Sequence, residues 1–109
     1  MHVHPDPRSV TAARIMSVAA IRARMAMLAV AYAAKNGAVN RIEIADASQR
    51  IVTVFGSDHD LAREMAWFVT SLPLLRRHVP DLVAAGDRLI RAVERTTWPD
   101  RGGRADING

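Results

Sequence analysis

The spacing of apolar residues predicts one long helix at the start of the chain. Residues 10–36 are rich in Ala and Met and contain no Pro or Gly, and Asn36–Gly37 is a typical helix end. On a helical wheel, Ser17, Arg24 and Lys35 form a narrow polar stripe, and apolar side chains cover most of the remaining circumference. A helix that is apolar on nearly all sides must be buried on more than one side.

One small domain can cover one side of this helix, so we expect a second copy of the chain or another protein to cover the rest. The residues predicted to form a homodimer interface are Ile21, Met25, Leu28 and Tyr32. In the alternative hypothesis, the later elements of the same chain wrap the helix completely.

In residues 40–55 the spacing of apolar residues changes from the helical period to alternation, which predicts a β-hairpin. Residues 41–44 alternate polar and apolar side chains, as a half-buried strand does. Residues 46–49 are turn-like, and residues 51–55 are rich in β-branched and aromatic types. The hairpin's apolar face is expected to pack on the long helix, because an isolated hairpin is marginally stable.

Helical spacing returns after Gly56. Ser57 is a candidate N-cap, and a helix with one apolar face follows it, formed by Leu61, Met65, Phe68 and Leu72. Pro73 can begin a further short turn, and Pro80 begins the last helix. The predicted fold class is therefore α+β: a long N-terminal helix, an antiparallel β-hairpin, and two or three C-terminal helices.

We expect a single domain over residues 1–109, with a flexible arm at 1–8, a folded core at 9–98 and a flexible tail at 99–109. Half of the residues are hydrophobic and 24% are charged, as in ordinary globular domains. The longest apolar run, Met25–Ala34, is about half of a membrane span. The first residues do not resemble a signal peptide. The absence of cysteine fits a reducing compartment, and the predicted location is cytoplasmic, without membrane contact.

The net charge is +4, and it arises from residues 1–36, which contain five basic residues and one acidic residue. Such a segment favours an acidic partner, either a protein or a nucleic acid. Tryptophan is enriched at the centres of protein interfaces. The residues predicted to bind a partner are Arg14, Arg22, Arg24, Trp67, Arg76 and Arg77.

Candidate chemistry is sparse. His2, His4 and Asp6 alternate like metal ligands, but they occupy a proline-containing terminus without a framework. The acids of residues 58–60 are explained by a helix N-terminus, where the helix dipole favours negative charge. The sequence contains no nucleophile elbow and no glycine-rich phosphate loop. We therefore expect a non-enzymatic protein with no cofactor and no bound metal.

The layout of residues 41–94 resembles a loosely defined group of small phage and prophage accessory proteins. The resemblance rests on a hairpin that ends at 54–57, the amphipathic run 62–69, and the Pro-containing segments 72–75 or 79–83. It implies a viral or mobile-element context and a product that binds host or phage macromolecules, as anti-CRISPR proteins do. The resemblance implies no catalytic or binding residues for this chain, because the group has no defined site.

The sequence predicts a non-enzymatic protein-interaction module. Its most specific form is a phage-type, anti-CRISPR-like inhibitor that binds a larger host or phage complex and blocks it sterically. The alternative is a small dimeric nucleic-acid-binding protein that uses the N-terminal arginines. Phosphate contacts weaken steeply with salt, so salt dependence separates the two hypotheses.

Overall fold

A computed structural model describes the backbone of residues 7–96 and the side chains of residues 18–96. Within this range the chain forms four helices: α1 (Pro7–Lys35), α2 (Arg41–Phe55), α3 (Asp60–Leu75) and α4 (Val79–Arg95). The predicted tail at 99–109 and the first six residues of the predicted arm lie outside the described residues. Residues 7 and 8, assigned to the arm by the sequence, belong to α1.

The predicted α+β class is wrong: the part of the chain that the structure describes is all-α and contains no strand. Residues 41–55, predicted as a hairpin, form α2. Ile44, Ala47 and Ile51 are buried at spacings of three and four residues, which is the period of one helix face. Packing of this face overrides the β propensity of residues 51–55.

The predicted turn at 46–49 is an ordinary part of the α2 interior. Asp46 accepts a 2.9 Å hydrogen bond from Arg50 one helical turn later. Alternation over only four residues at the start of α2 was too short a signal to distinguish a strand from a helix.

The four helices form a bundle in which consecutive helices are neighbours and α4 returns to α1. Helix α1 contacts α2 and α4 but not α3, so α1 and α3 lie on one diagonal of the bundle. The connections 36–40, 56–59 and 76–78 are short, as in up-and-down bundles.

Local signals explain where the helices end. Gly37 has a φ of 75°, the left-handed conformation that glycine adopts easily, and its amide donates to the Ala34 carbonyl at 2.9 Å. The predicted end of the first helix is therefore confirmed. Helix α3 is capped by His59 rather than by the predicted Ser57, because Nδ1 of His59 accepts a hydrogen bond from the Leu61 amide at 3.1 Å.

Asn40 caps α2, and we expect Asn40→Ala to lower the free energy of unfolding by about 1 kcal/mol. The Asn40 Oδ1 accepts hydrogen bonds from the amides of Ile42 (2.9 Å) and Glu43 (3.1 Å), and alanine leaves both donors without this acceptor. Urea denaturation checks the value, with Asn40→Asp as the control that keeps the cap. Equal stability of the alanine variant and the natural chain would contradict the capping role.

The core uses large side chains from all four helices and many small ones from α1. The largest fully buried side chains are Met27, Ile51, Leu61, Met65, Phe68, Leu89 and Val93. Among the described side chains of α1, the remaining buried residues are Val30 and several alanines, namely Ala20, Ala23, Ala31 and Ala34. Opposite them, Gly86 of α4 lies so close that an added methyl group would stand 2.6 Å from the Ala31 carbonyl oxygen. Small residues thus bring the backbones of α1 and α4 close together.

Candidate interaction surface

An apolar row on α1 faces away from the bundle core. It comprises five residues, here called the outer row: Val18, Ile21, Met25, Leu28 and Tyr32. Met25 is 61% exposed, and Val18, Ile21 and Tyr32 are each about half exposed, while Leu28 is partly buried against the core. The spacing alternates between three and four residues, which is the heptad spacing by which helices pack against helices.

The opposite face of the same helix is covered by α2 and α4. Its buried residues, such as Ala23, Met27 and Ala34, lie about half a turn from the outer row. Helix α1 is therefore apolar on two faces, and within the described part of the chain only one of them is covered.

Sequence reasoning named four of the five residues of the outer row. Ile21, Met25 and Tyr32 are exposed, and Leu28 is partly buried. Val18 was missed, although it lies one heptad before Met25 and extends the same spacing.

Two of the three predicted arginines of α1 lie on the two flanks of the outer row. Arg22 and Arg24 are both exposed but lie about 200° apart around the helix, since each residue turns it by about 100°. Beyond the C-terminal end of the outer row, Lys35 forms a 3.1 Å ion pair with Asp87 of α4. Arg14 belongs to α1, and its side chain lies outside the described side chains. The arginines thus border an apolar surface and do not converge on one point.

Trp67, predicted to bind a partner, is in contact with Arg88 of the same chain. The Arg88 guanidinium lies 3.6 Å from the centre of the Trp67 ring. It also donates two hydrogen bonds to Glu64, at 2.8 and 3.2 Å. The hydrogen bond to Glu64 raises the pKa of Arg88, while burial acts in the opposite direction. This cluster links α3 to α4.

Arg76 and Arg77 are exposed at the C-terminal end of α3. Because α3 does not contact α1, these two arginines do not share a patch with Arg22 and Arg24. The predicted binding residues therefore divide among three places: the outer face of α1, the α3–α4 contact and the end of α3.

The polar residues 58–60 before and at the start of α3 have structural partners. The Asp58 carbonyl accepts two hydrogen bonds from Arg63, His59 caps α3, and Asp60 forms a 3.0 Å ion pair with Arg95. Over the residues described, no group of three or more His, Asp or Glu side chains could hold a metal ion. His2, His4 and Asp6 lie outside that range. No helix among the described residues is long and apolar enough to cross a membrane.

Comparisons of the chain with protein-family models, with curated proteins and with solved structures found no match.

Proposed function

We propose that the chain is a protein-interaction module, not an enzyme, and that it pairs with a second copy of itself through the outer row of α1. The observation that carries the proposal is an exposed apolar row at heptad spacing on a helix whose other face is already buried in the core. Exposed apolar rows of this kind mark surfaces that pack against another helix.

The outer row suits a second copy because Met25 lies at its middle, with two apolar residues on each side. In an antiparallel pair with the two-fold axis at Met25, Val18 of one copy faces Tyr32 of the other, and Ile21 faces Leu28. The small Val18 then meets the large Tyr32, and the same patch serves both copies, as a two-fold interface requires. The ion pair between Lys35 and Asp87 offsets one positive charge on the border of this surface.

The proposal stays with self-association and does not include the phage-type inhibitor. That hypothesis rested partly on a hairpin at residues 40–55, where the structure has α2. Nucleic-acid binding by Arg22 and Arg24 stays an alternative prediction, and so does a cytoplasmic location. The positions of the two arginines on opposite flanks of the outer row favour contact with a protein over contact with a phosphate backbone.

Met25→Glu is expected to weaken the dimer at least tenfold, which corresponds to about 1.4 kcal/mol. The substitution places two carboxylates against each other at the two-fold axis in an apolar interface. Analytical ultracentrifugation over a concentration series measures the dissociation constant. The natural chain is expected to approach twice its mass of 11.9 kDa.

The matched control is Ile42→Glu, because Ile42 is an apolar residue that is 81% exposed on α2, outside the outer row. This variant is expected to dimerise like the natural chain, and circular dichroism checks that both variants remain folded. A natural chain that stays monomeric at high concentration would contradict the proposal, and so would a Met25→Glu variant that dimerises normally.

The salt dependence of binding distinguishes self-association from binding to nucleic acid. The arginines on the borders of the outer row carry like charges in both copies, so higher salt is expected to strengthen the dimer slightly. Binding to duplex DNA would instead weaken steeply with salt. A gel-shift titration at two salt concentrations, with an Arg22→Ala and Arg24→Ala double variant, tests the nucleic-acid alternative.

A further inference from the structure

A second apolar surface, separate from the outer row, is a groove between α2 and α3. Residues of both helices line it. The α2 side consists of one row, Arg41, Ala45, Ser48 and Val52, with Ile44 and Gln49 beside it, and the α3 side consists of Val69, Leu72, Pro73 and Arg76. The groove has a volume of about 810 Å³, within the range of small-molecule sites. Sequence analysis missed it because residues 41–55 were interpreted as a hairpin.

Side-chain size explains why α2 and α3 leave a groove. Ala45 and Ser48 are small, so the α2 row cannot fill the space towards Leu72 and Pro73. Val52 and Val69 are each 45% exposed along the groove. Pro73 has no amide hydrogen and cannot donate to the Val69 carbonyl. The Val69 carbonyl therefore lacks the hydrogen bond that it would accept in an ordinary helix.

The two charged residues of the groove lie at the same end. Arg41 begins α2 and Arg76 follows the last residue of α3, and consecutive helices in the bundle run in opposite directions. Neither guanidinium has a hydrogen-bond or ion-pair partner in the described part of the chain, and no lining residue is acidic. The groove is therefore cationic at one end and mostly apolar along the rest of its length, where Ser48 and Gln49 are the polar lining residues.

We propose that this groove binds an alkyl carboxylate, with the carboxylate between Arg41 and Arg76 and the chain lying along Val52, Val69 and Leu72. Guanidinium groups recognise carboxylates through charge-assisted hydrogen bonds. The α2 row from Arg41 to Val52 is about 16 Å long at the rise of a helix, which gives room for an extended medium-length chain. In the middle of the α2 row, Ala45 and Ser48 are small. The space that they leave suits a single alkyl chain better than a third helix, which packs at about 8–10 Å from its neighbours.

Titration of the full chain with decanoate, below its micelle-forming concentration, tests the proposal by isothermal calorimetry. We expect one molecule bound per chain and tighter binding with chain length, about fourfold for each added methylene that is buried. Decyltrimethylammonium, which has a cationic head on the same chain, is expected not to bind. Ala45→Leu, which fills the groove at only a small cost in helix propensity, is expected to abolish binding.

The matched pair of variants is the Arg41→Ala and Arg76→Ala double variant against Arg77→Ala. The double variant is expected to bind decanoate at least tenfold more weakly. Arg77 is adjacent in sequence and exposed but does not line the groove, so its variant is expected to bind normally. Met25→Glu is also expected to bind normally, because Met25 does not line the groove. Loss of the dimer and loss of this site are thus measured separately.

Three results would overturn the proposal: no decanoate binding, equal binding of the cationic amphiphile, or equal affinity in the arginine double variant. An acidic amphipathic peptide that binds the groove where decanoate does not would also overturn it, and would assign the groove to a protein partner.

Discussion

Gly86→Ala is expected to lower the free energy of unfolding by about 2 kcal/mol, although alanine is the better helix former. A methyl group at this position would lie 2.6 Å from the Ala31 carbonyl oxygen, 2.9 Å from Cγ of Lys35 and 3.0 Å from its backbone nitrogen. Two of these three atoms belong to the backbone and cannot move aside as a side-chain end can. Helix α4 must shift away from α1, which separates the closely packed alanine face.

Helix propensity alone predicts the opposite sign, because glycine costs about 1 kcal/mol relative to alanine inside a helix. Ala84→Gly provides the matched control on the exposed side of α4, where propensity acts without close contact. Urea denaturation is expected to show both variants less stable than the natural chain. A more stable Gly86→Ala variant would mean that the α1–α4 distance is larger than in this bundle.

Phe68→Ala is expected to lower the free energy of unfolding by about 3–5 kcal/mol, a large part of the total for a domain of this size. Phe68 is 1% exposed. It lies on α3 and lines a small space together with Val30 of α1 and Ile44 of α2, so its ring is surrounded by residues of three helices. Its removal leaves a cavity in the core that the surrounding helices cannot easily fill.

Thermal and urea denaturation followed by circular dichroism measure the loss. Phe68→Leu is the control, since it keeps most of the buried volume and is expected to cost less than half as much. Val69→Ala, at the adjacent exposed position, is expected to change stability little. A Phe68→Ala variant as stable as the natural chain would show that the centre of the bundle repacks without the ring.

The sequence alone was sufficient for features that depend on neighbouring residues. The end of α1 at Asn36–Gly37 follows from the left-handed conformation that glycine tolerates, and the start of α4 follows from Pro80. The apolar circumference of α1 already indicated a helix with apolar residues on more than one face. These signals are local or periodic, so they are visible without knowing which elements meet.

Only the tertiary structure decided the rest. Residues 41–55 carry strand-forming side chains, yet they form α2, because a helix buries Ile44, Ala47 and Ile51 together against the other helices. Glu64 and Arg88 are 24 residues apart in sequence, and their ion pair exists because α3 and α4 are neighbours. The groove that ends in Arg41 and Arg76 likewise needs two antiparallel helices side by side. Propensity and periodicity describe one segment at a time, whereas packing selects the conformation that buries the most apolar surface across all of them.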